Sequence, residues 1–150
     1  LFIIRRMRME LKFFMIKNEK QYNTSKKKLA EFEFTIAAKQ PKVLPNSKEE
    51  GALNSLIRIK NDIKEEIKQY ESLKTKGIPL RRKFSVAQLP NILIEHKIAK
   101  GLTQKQYSAI LGIKEQQLQR YEAENYSSVS FSRLLDYLEK ANIKINLAVE

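Results

Sequence analysis

The sequence predicts an all-α protein in two parts, a long N-terminal antiparallel helical hairpin and a C-terminal bundle of short helices. Three observations carry this. Apolar residues recur at three- and four-residue spacing through most of the chain. Capping-box signals stand in front of several of these runs. The 150 residues include only four Gly and four Pro, too few for collagen-like, low-complexity or turn-rich all-β chains. The length suits one ordinary domain or two small modules with modest cores.

Composition narrows the function. Lys and Arg number 29 against 17 Asp and Glu, a formal net charge of +12, with 42% hydrophobic and 31% charged residues. Such a chain folds and carries an excess of positive charge suited to an anionic partner. The absence of Cys excludes disulfide frameworks, thiolate zinc sites and cysteine nucleophiles. A single His leaves no multi-histidine metal site. No apolar run is long enough to span a bilayer. Neither a metal nor a cofactor is expected, and the composition is of a cytoplasmic type. The charge is uneven: residues 1–45 carry a balance of +7, 46–76 of +1, 77–112 of +5, and 113–150 of −1.

The opening LFIIRRMRMELKFF mixes apolar and basic residues in an order unlike a signal peptide, with no small-residue cleavage site after it. Residues 1–14 are expected to be an upstream or added extension, with Met15 as the native start. From Thr24 or Ser25, a helix is expected to run to about Lys39, with Leu29, Phe32 and Ile36 on one face. Gln40-Pro41 ends it, and PKVLPNS connects it to a second helix. That helix starts near Ser47-Lys48, with Glu49 and Glu50 in its first turn. Leu53, Leu56, Ile63, Ile67 and Tyr70 follow heptad spacing, interrupted by Lys60, and Gly77 before Pro79 stops it. Residues 15–76 therefore read as an oligomerisation or partner-docking hairpin. Its longer second helix overhangs, so Ile67, Tyr70 and Leu73 need cover from Ile16 and Tyr22, from the C-terminal part or, by preference, from a second chain. Residues 77–84 read as a basic linker.

Residues 85–150 carry the functional signal. Ser85 with Gln88 opens a helix to about Ala99, although Pro90 sits in its second turn. Thr103 with Gln106 opens another that stops at Gly112, and a third covers 114–122. Two short helices joined by a tight Gly-containing turn form a helix-turn-helix. The apolar residues needed to lock it are Tyr107, Leu111, Ile113, Leu118 and Tyr121, with Gly112 at a position expecting φ > 0. Ser108 fills the small position facing the neighbouring helix, provided its hydroxyl finds a backbone acceptor. Ser130 or Ser132 is expected to cap a last helix whose Leu134, Leu135 and Leu138 face the core. The alternating tail Asn142–Leu147 reads as a short strand needing a two-fold partner.

LTQKQYSAILGIKEQQLQRYEAENYSS resembles the Cro/CI-type (XRE) helix-turn-helix family of phage repressors and bacterial regulators, over roughly residues 85–140. The hairpin resembles a bacterial subgroup placing a coiled-coil arm before such a domain. The resemblance implies a lambda-repressor-like bundle of about five helices and dimeric binding to a palindrome. It also implies frequent autoregulation, and some members act as antitoxins.

The third helix presents Glu115, Gln116, Gln117, Gln119 and Arg120 between apolar positions. Gln pairs with adenine, Arg with guanine, and Glu accepts from cytosine in the major groove. By the resemblance, Glu115, Gln116 and Arg120 occupy positions that commonly face bases, and Gln104 a position that contacts phosphate through a helix N-terminus. Lys97, Lys100, Lys105 and Lys114 are expected to neutralise phosphates around the groove, and Arg81-Arg82-Lys83 to form a basic arm. His96 reads as a partly exposed surface residue. The leading function is sequence-specific binding to double-stranded DNA as a homodimeric repressor on the nucleoid. The second is an antitoxin-type protein whose hairpin grips a partner protein while the DNA-binding domain regulates its operon. RNA binding is disfavoured because aromatic stacking clusters are missing. Catalysis is not expected: there is no phosphate loop, metal cluster or carboxylate pair of defined spacing.

Overall fold

The computed structural model describes residues 15–79 and 82–147. The extension expected at 1–14 and Arg81 of the basic arm lie outside the described residues. Six α-helices are present among the described residues. The chain divides into two compact units between Ser72 and Leu73, within the last turn of the second helix.

The first unit is the hairpin. Helix α1 (Glu19–Lys39) is capped by Asn18, whose side chain accepts the Gln21 N–H at 2.9 Å. This corrects the start expected at Thr24 or Ser25. The Thr24 hydroxyl donates back to the Lys20 carbonyl at 2.9 Å, a pattern of helix interiors and not of caps. A short 3-10 turn, Gln40–Lys42, takes up Pro41. Helix α2 (Lys48–Lys76) follows, with the Ser47 hydroxyl accepting the Glu50 N–H at 3.2 Å. It ends as the spacing predicts, at Gly77 with φ +74. At 1.5 Å per residue the two helices are about 31 and 43 Å long.

The earlier start of α1 changes what covers the far end of α2. Tyr22 stacks on Tyr70 with ring centroids 4.9 Å apart. Each hydroxyl donates to a glutamate on the opposite helix, Tyr22 to Glu71 at 2.6 Å and Tyr70 to Glu19 at 2.9 Å. Ile16, Ile36, Leu53, Ile67 and Tyr70 are buried. Ile67 and Tyr70 are therefore covered within one chain, and the second chain expected over them is not required.

Glu66 sits half-buried along α2. Its carboxyl is pushed up to about 7, first by burial and then by Asp62 one turn earlier. A carboxylate with a raised folded-state pKa binds more protons when folded, so its contribution to stability is lost as pH rises through about 7. Glu66→Gln is thus expected to raise the hairpin's melting temperature at pH 8 and to change it little at pH 5. Equal shifts at both pH values in thermal melts would contradict this.

The second unit opens with a 3-10 turn, Val86–Gln88, in which the Gln88 side chain accepts the Ser85 N–H at 3.0 Å. Helix α3 (Leu89–Ala99) begins after that turn, which places Pro90 where no intrahelical N–H is needed. Leu89, Ile92, Leu93, Ile94 and Ile98 are buried, making α3 the central element. Around it lie α4 (Gln104–Leu111), α5 (Glu115–Ala123) and α6 (Phe131–Lys140). Tyr107, Leu111 and Leu118 have no exposed surface, and Tyr121, Tyr126, Tyr137, Leu134 and Leu138 complete the core.

Two expectations about the C-terminal end are corrected. Leu135 is 47% exposed and does not face the core. Residues 143–147 form no strand. Alternation alone does not make one, since a strand needs a ladder partner, and no strand exists among the described residues to supply it. Of the two candidate caps, Ser130 takes the position, accepting the Arg133 N–H at 3.4 Å.

Candidate nucleic-acid interface

Helix α4 starts with the reciprocal cap read from the sequence. The Thr103 hydroxyl accepts the Gln106 N–H at 3.2 Å, and the Gln106 side chain accepts the Thr103 N–H at 2.9 Å. At its other end Gly112 adopts φ +70, ψ +33, and the Ile113 N–H returns to the Ser108 carbonyl at 3.0 Å. This left-handed cap reverses the chain into α5 within three residues. Ser108 is buried and its hydroxyl donates to the Lys105 carbonyl at 2.9 Å, the acceptor its position requires. A Cβ on Gly112 would meet only the Lys140 ammonium, at 3.8 Å, so the cost of Gly112→Ala is torsional. It is expected to destabilise the unit by about 1–2 kcal/mol, as read in urea titrations.

The inner face of α5 is fixed by Leu118, Tyr121 and Glu122, all buried. Its outer face carries Glu115, Gln116, Gln119 and Arg120, all exposed, with Lys114 at the cap. Four of the five proposed base readers thus share one solvent-facing surface. The fifth, Gln117, is half-buried, and its amide donates to the Tyr121 hydroxyl at 2.7 Å.

Lys97 is not a phosphate ligand. Its side chain lies in the core, 2% exposed, with Nζ 2.6 Å from both oxygens of Glu122, itself 1% exposed. Burial lowers the Lys97 pKa, and the Glu122 carboxylate partly offsets that. The Gln104 side-chain amide also donates to Glu122, at 2.8 Å. The phosphate contact that the resemblance assigns to Gln104 is one from its backbone N–H, in the first turn of α4. Lys97 on α3 and Gln104 on α4 converge on Glu122, tying the last turn of α5 to both preceding helices.

Arg82 pairs with Glu95 at 2.7 Å, which removes it from the basic arm. With Lys97 internal as well, the exposed basic residues on and next to α4 and α5 are Lys100, Lys105, Lys114 and Arg120. His96 is half-buried with Nδ1 3.3 Å from the Tyr107 hydroxyl. Burial first, then Lys100, lowers its pKa, so it stays neutral at pH 7. Sequence reasoning missed Arg133, exposed in the first turn of α6; the Gln117 amide first, and then Arg133, act to lower the pKa of the Tyr121 hydroxyl. The only sequence signal for Arg133 is its place just after the Ser130 cap.

Residues 94–147 match the family model described as Helix-turn-helix. This part of the chain is an XRE-type helix-turn-helix domain. It is a DNA-binding fold of transcription regulators, and the match runs from the middle of α3 through the tail beyond α6. Comparisons with curated proteins and with solved structures give no match. No described residues cluster as metal ligands. No described helix is long and apolar enough to cross a membrane.

Proposed function

We propose that the protein is a sequence-specific transcriptional repressor that inserts α5 into the major groove and binds its operator as a dimer. The observation that carries this reading is the division of α5. One face is locked into the core by Leu118, Tyr121 and the Lys97–Glu122 pair, while the other presents Gln116, Gln119, Arg120 and Glu115 to solvent. Amide and guanidinium groups on a rigid helix are the donors and acceptors that distinguish base pairs in the major groove. Lys100, Lys105 and Lys114 supply phosphate neutralisation beside them. The reading places the protein on the nucleoid and gives it no catalytic role.

Dimerisation is supported by apolar side chains left exposed on α6 and in the tail after it. Phe131, Leu135 and Leu147 are exposed, and a groove of about 330 Å³ is lined by Leu135, Leu138, Ile143 and Ile145. A dimer that reads two half-sites needs its two α5 helices about one DNA turn apart. Binding to duplex DNA from upstream of the protein's own gene, followed by fluorescence anisotropy against a scrambled duplex, tests the reading. The native site is expected to bind more tightly, with two chains per duplex in sedimentation. Equal affinity for both duplexes would refute sequence-specific binding.

An antitoxin role is the second reading. It is favoured by the hairpin's exposed Phe34 and Leu44, large apolar side chains of the kind a partner protein covers.

A further inference from the structure

Tyr121 lies at the centre of the polar groups of α5. Its ring is buried, tilted against Tyr126 and Tyr137 with centroids 5.9 and 6.3 Å away. The Arg120 guanidinium sits over that ring, 5.6 Å from its centroid, a cation–π distance. The Tyr121 hydroxyl takes the Gln117 amide at 2.7 Å.

These contacts act differently on the two neighbours. A guanidinium resting on a buried ring loses much of its rotational freedom before it meets a base, which favours bidentate pairing. Gln117 is drawn the other way. Its amide runs along α5 toward the C-terminus to reach a residue one turn later, whereas the N-terminal residues of a recognition helix approach the bases. Adenine recognition needs both the oxygen and the amide of a glutamine aimed at one base edge. The 2.7 Å bond occupies one of the two amide N–H groups of Gln117 and turns the amide toward Tyr121.

We propose that Tyr121 is a positioning residue for specificity: its ring presents Arg120 to a guanine, and its hydroxyl withholds Gln117 from the bases. The proposal rests on α5 reading DNA, as argued above, and adds which of its residues carry the base preference.

Selection of bound duplexes from a random library, with the full-length protein, tests it. Wild type is expected to select a site containing a preferred guanine. Arg120→Ala should reduce the preference for that guanine about tenfold or more. Gln117→Ala should leave every wild-type preference within about twofold, since a residue that does not touch bases carries no base discrimination. Tyr121→Phe keeps the ring and should keep the guanine preference. Tyr121→Leu, checked for folding by circular dichroism, should weaken the guanine preference and spare the others.

A preference erased by Gln117→Ala but kept by Arg120→Ala would overturn the proposal while leaving DNA reading by α5 intact. An undiminished guanine preference in folded Tyr121→Leu would also overturn it. If Tyr121→Leu does not fold, the Gln117→Ala and Tyr121→Phe profiles decide: loss of the guanine preference in Tyr121→Phe refutes the role given to the ring. Failure of wild type to enrich any sequence would refute both the proposal and the reading beneath it.

Discussion

Glu122→Ala is expected to destabilise the helix-turn-helix unit by about 3–5 kcal/mol, the cost of leaving a buried charge without its partner. Lys97 has no other position to adopt cheaply: it is 2% exposed and its ammonium contacts both Glu122 oxygens at 2.6 Å. Two further outcomes separate this cause from simple loss of packing. The combined change Lys97→Met with Glu122→Leu should recover most of the stability, because apolar replacements of similar volume leave no charge to desolvate. The Glu122→Ala variant should also be more stable at pH 9 than at pH 6. Lys97 already has a lowered pKa from burial, and losing the carboxylate lowers it further. The unfolded state then binds more protons than the folded one, so stability rises with pH. Hydrogen exchange of amides in α3 to α5 reads these effects separately from the hairpin. A double variant no better than Glu122→Ala would contradict the account.

The second large effect falls on DNA affinity. Gln116 and Arg120 are exposed on α5, so replacing both by alanine should leave the fold unchanged. Each good bidentate base contact is worth about 1–3 kcal/mol of discrimination. The double variant is therefore expected to lose most of its preference for the native site while retaining salt-dependent binding to any duplex. Lys105→Ala and Lys114→Ala should behave in the opposite way. They weaken binding to all sequences alike, and each reduces the slope of log affinity against log salt by about one. Parallel titrations on native and scrambled duplexes distinguish the two patterns. Equal losses on both duplexes for Gln116→Ala/Arg120→Ala would assign those residues to the phosphates instead.

Local features of the chain were legible because their causes are local. The Thr103–Gln106 cap, the left-handed Gly112 and the apolar positions Tyr107, Leu111, Leu118 and Tyr121 lie within a few residues of the groups they serve. Lys97 was misread because its partner is 25 residues away. A signal did exist: Lys97 follows Leu93 by four residues and Ile94 by three, both fully buried, so it lies on the core face of α3. The Gln117–Tyr121 bond likewise follows from four-residue spacing on one helix. The start of α1 depended on whether Thr24 bonds to an N–H ahead or a carbonyl behind, which spacing does not decide. The tail strand failed for a non-local reason, the lack of a neighbouring strand among the described residues.

The central claim is that α5 reads bases through the major groove, and guanine chemistry tests it most directly. In the selected site, the preferred guanine is replaced by 7-deazaguanine, which removes the N7 acceptor and keeps Watson–Crick pairing and the minor groove. Wild-type affinity should fall by about tenfold, in line with the loss of half of a bidentate arginine contact. Arg120→Ala should bind both duplexes equally. Undiminished wild-type binding to the 7-deaza duplex would contradict major-groove readout by Arg120.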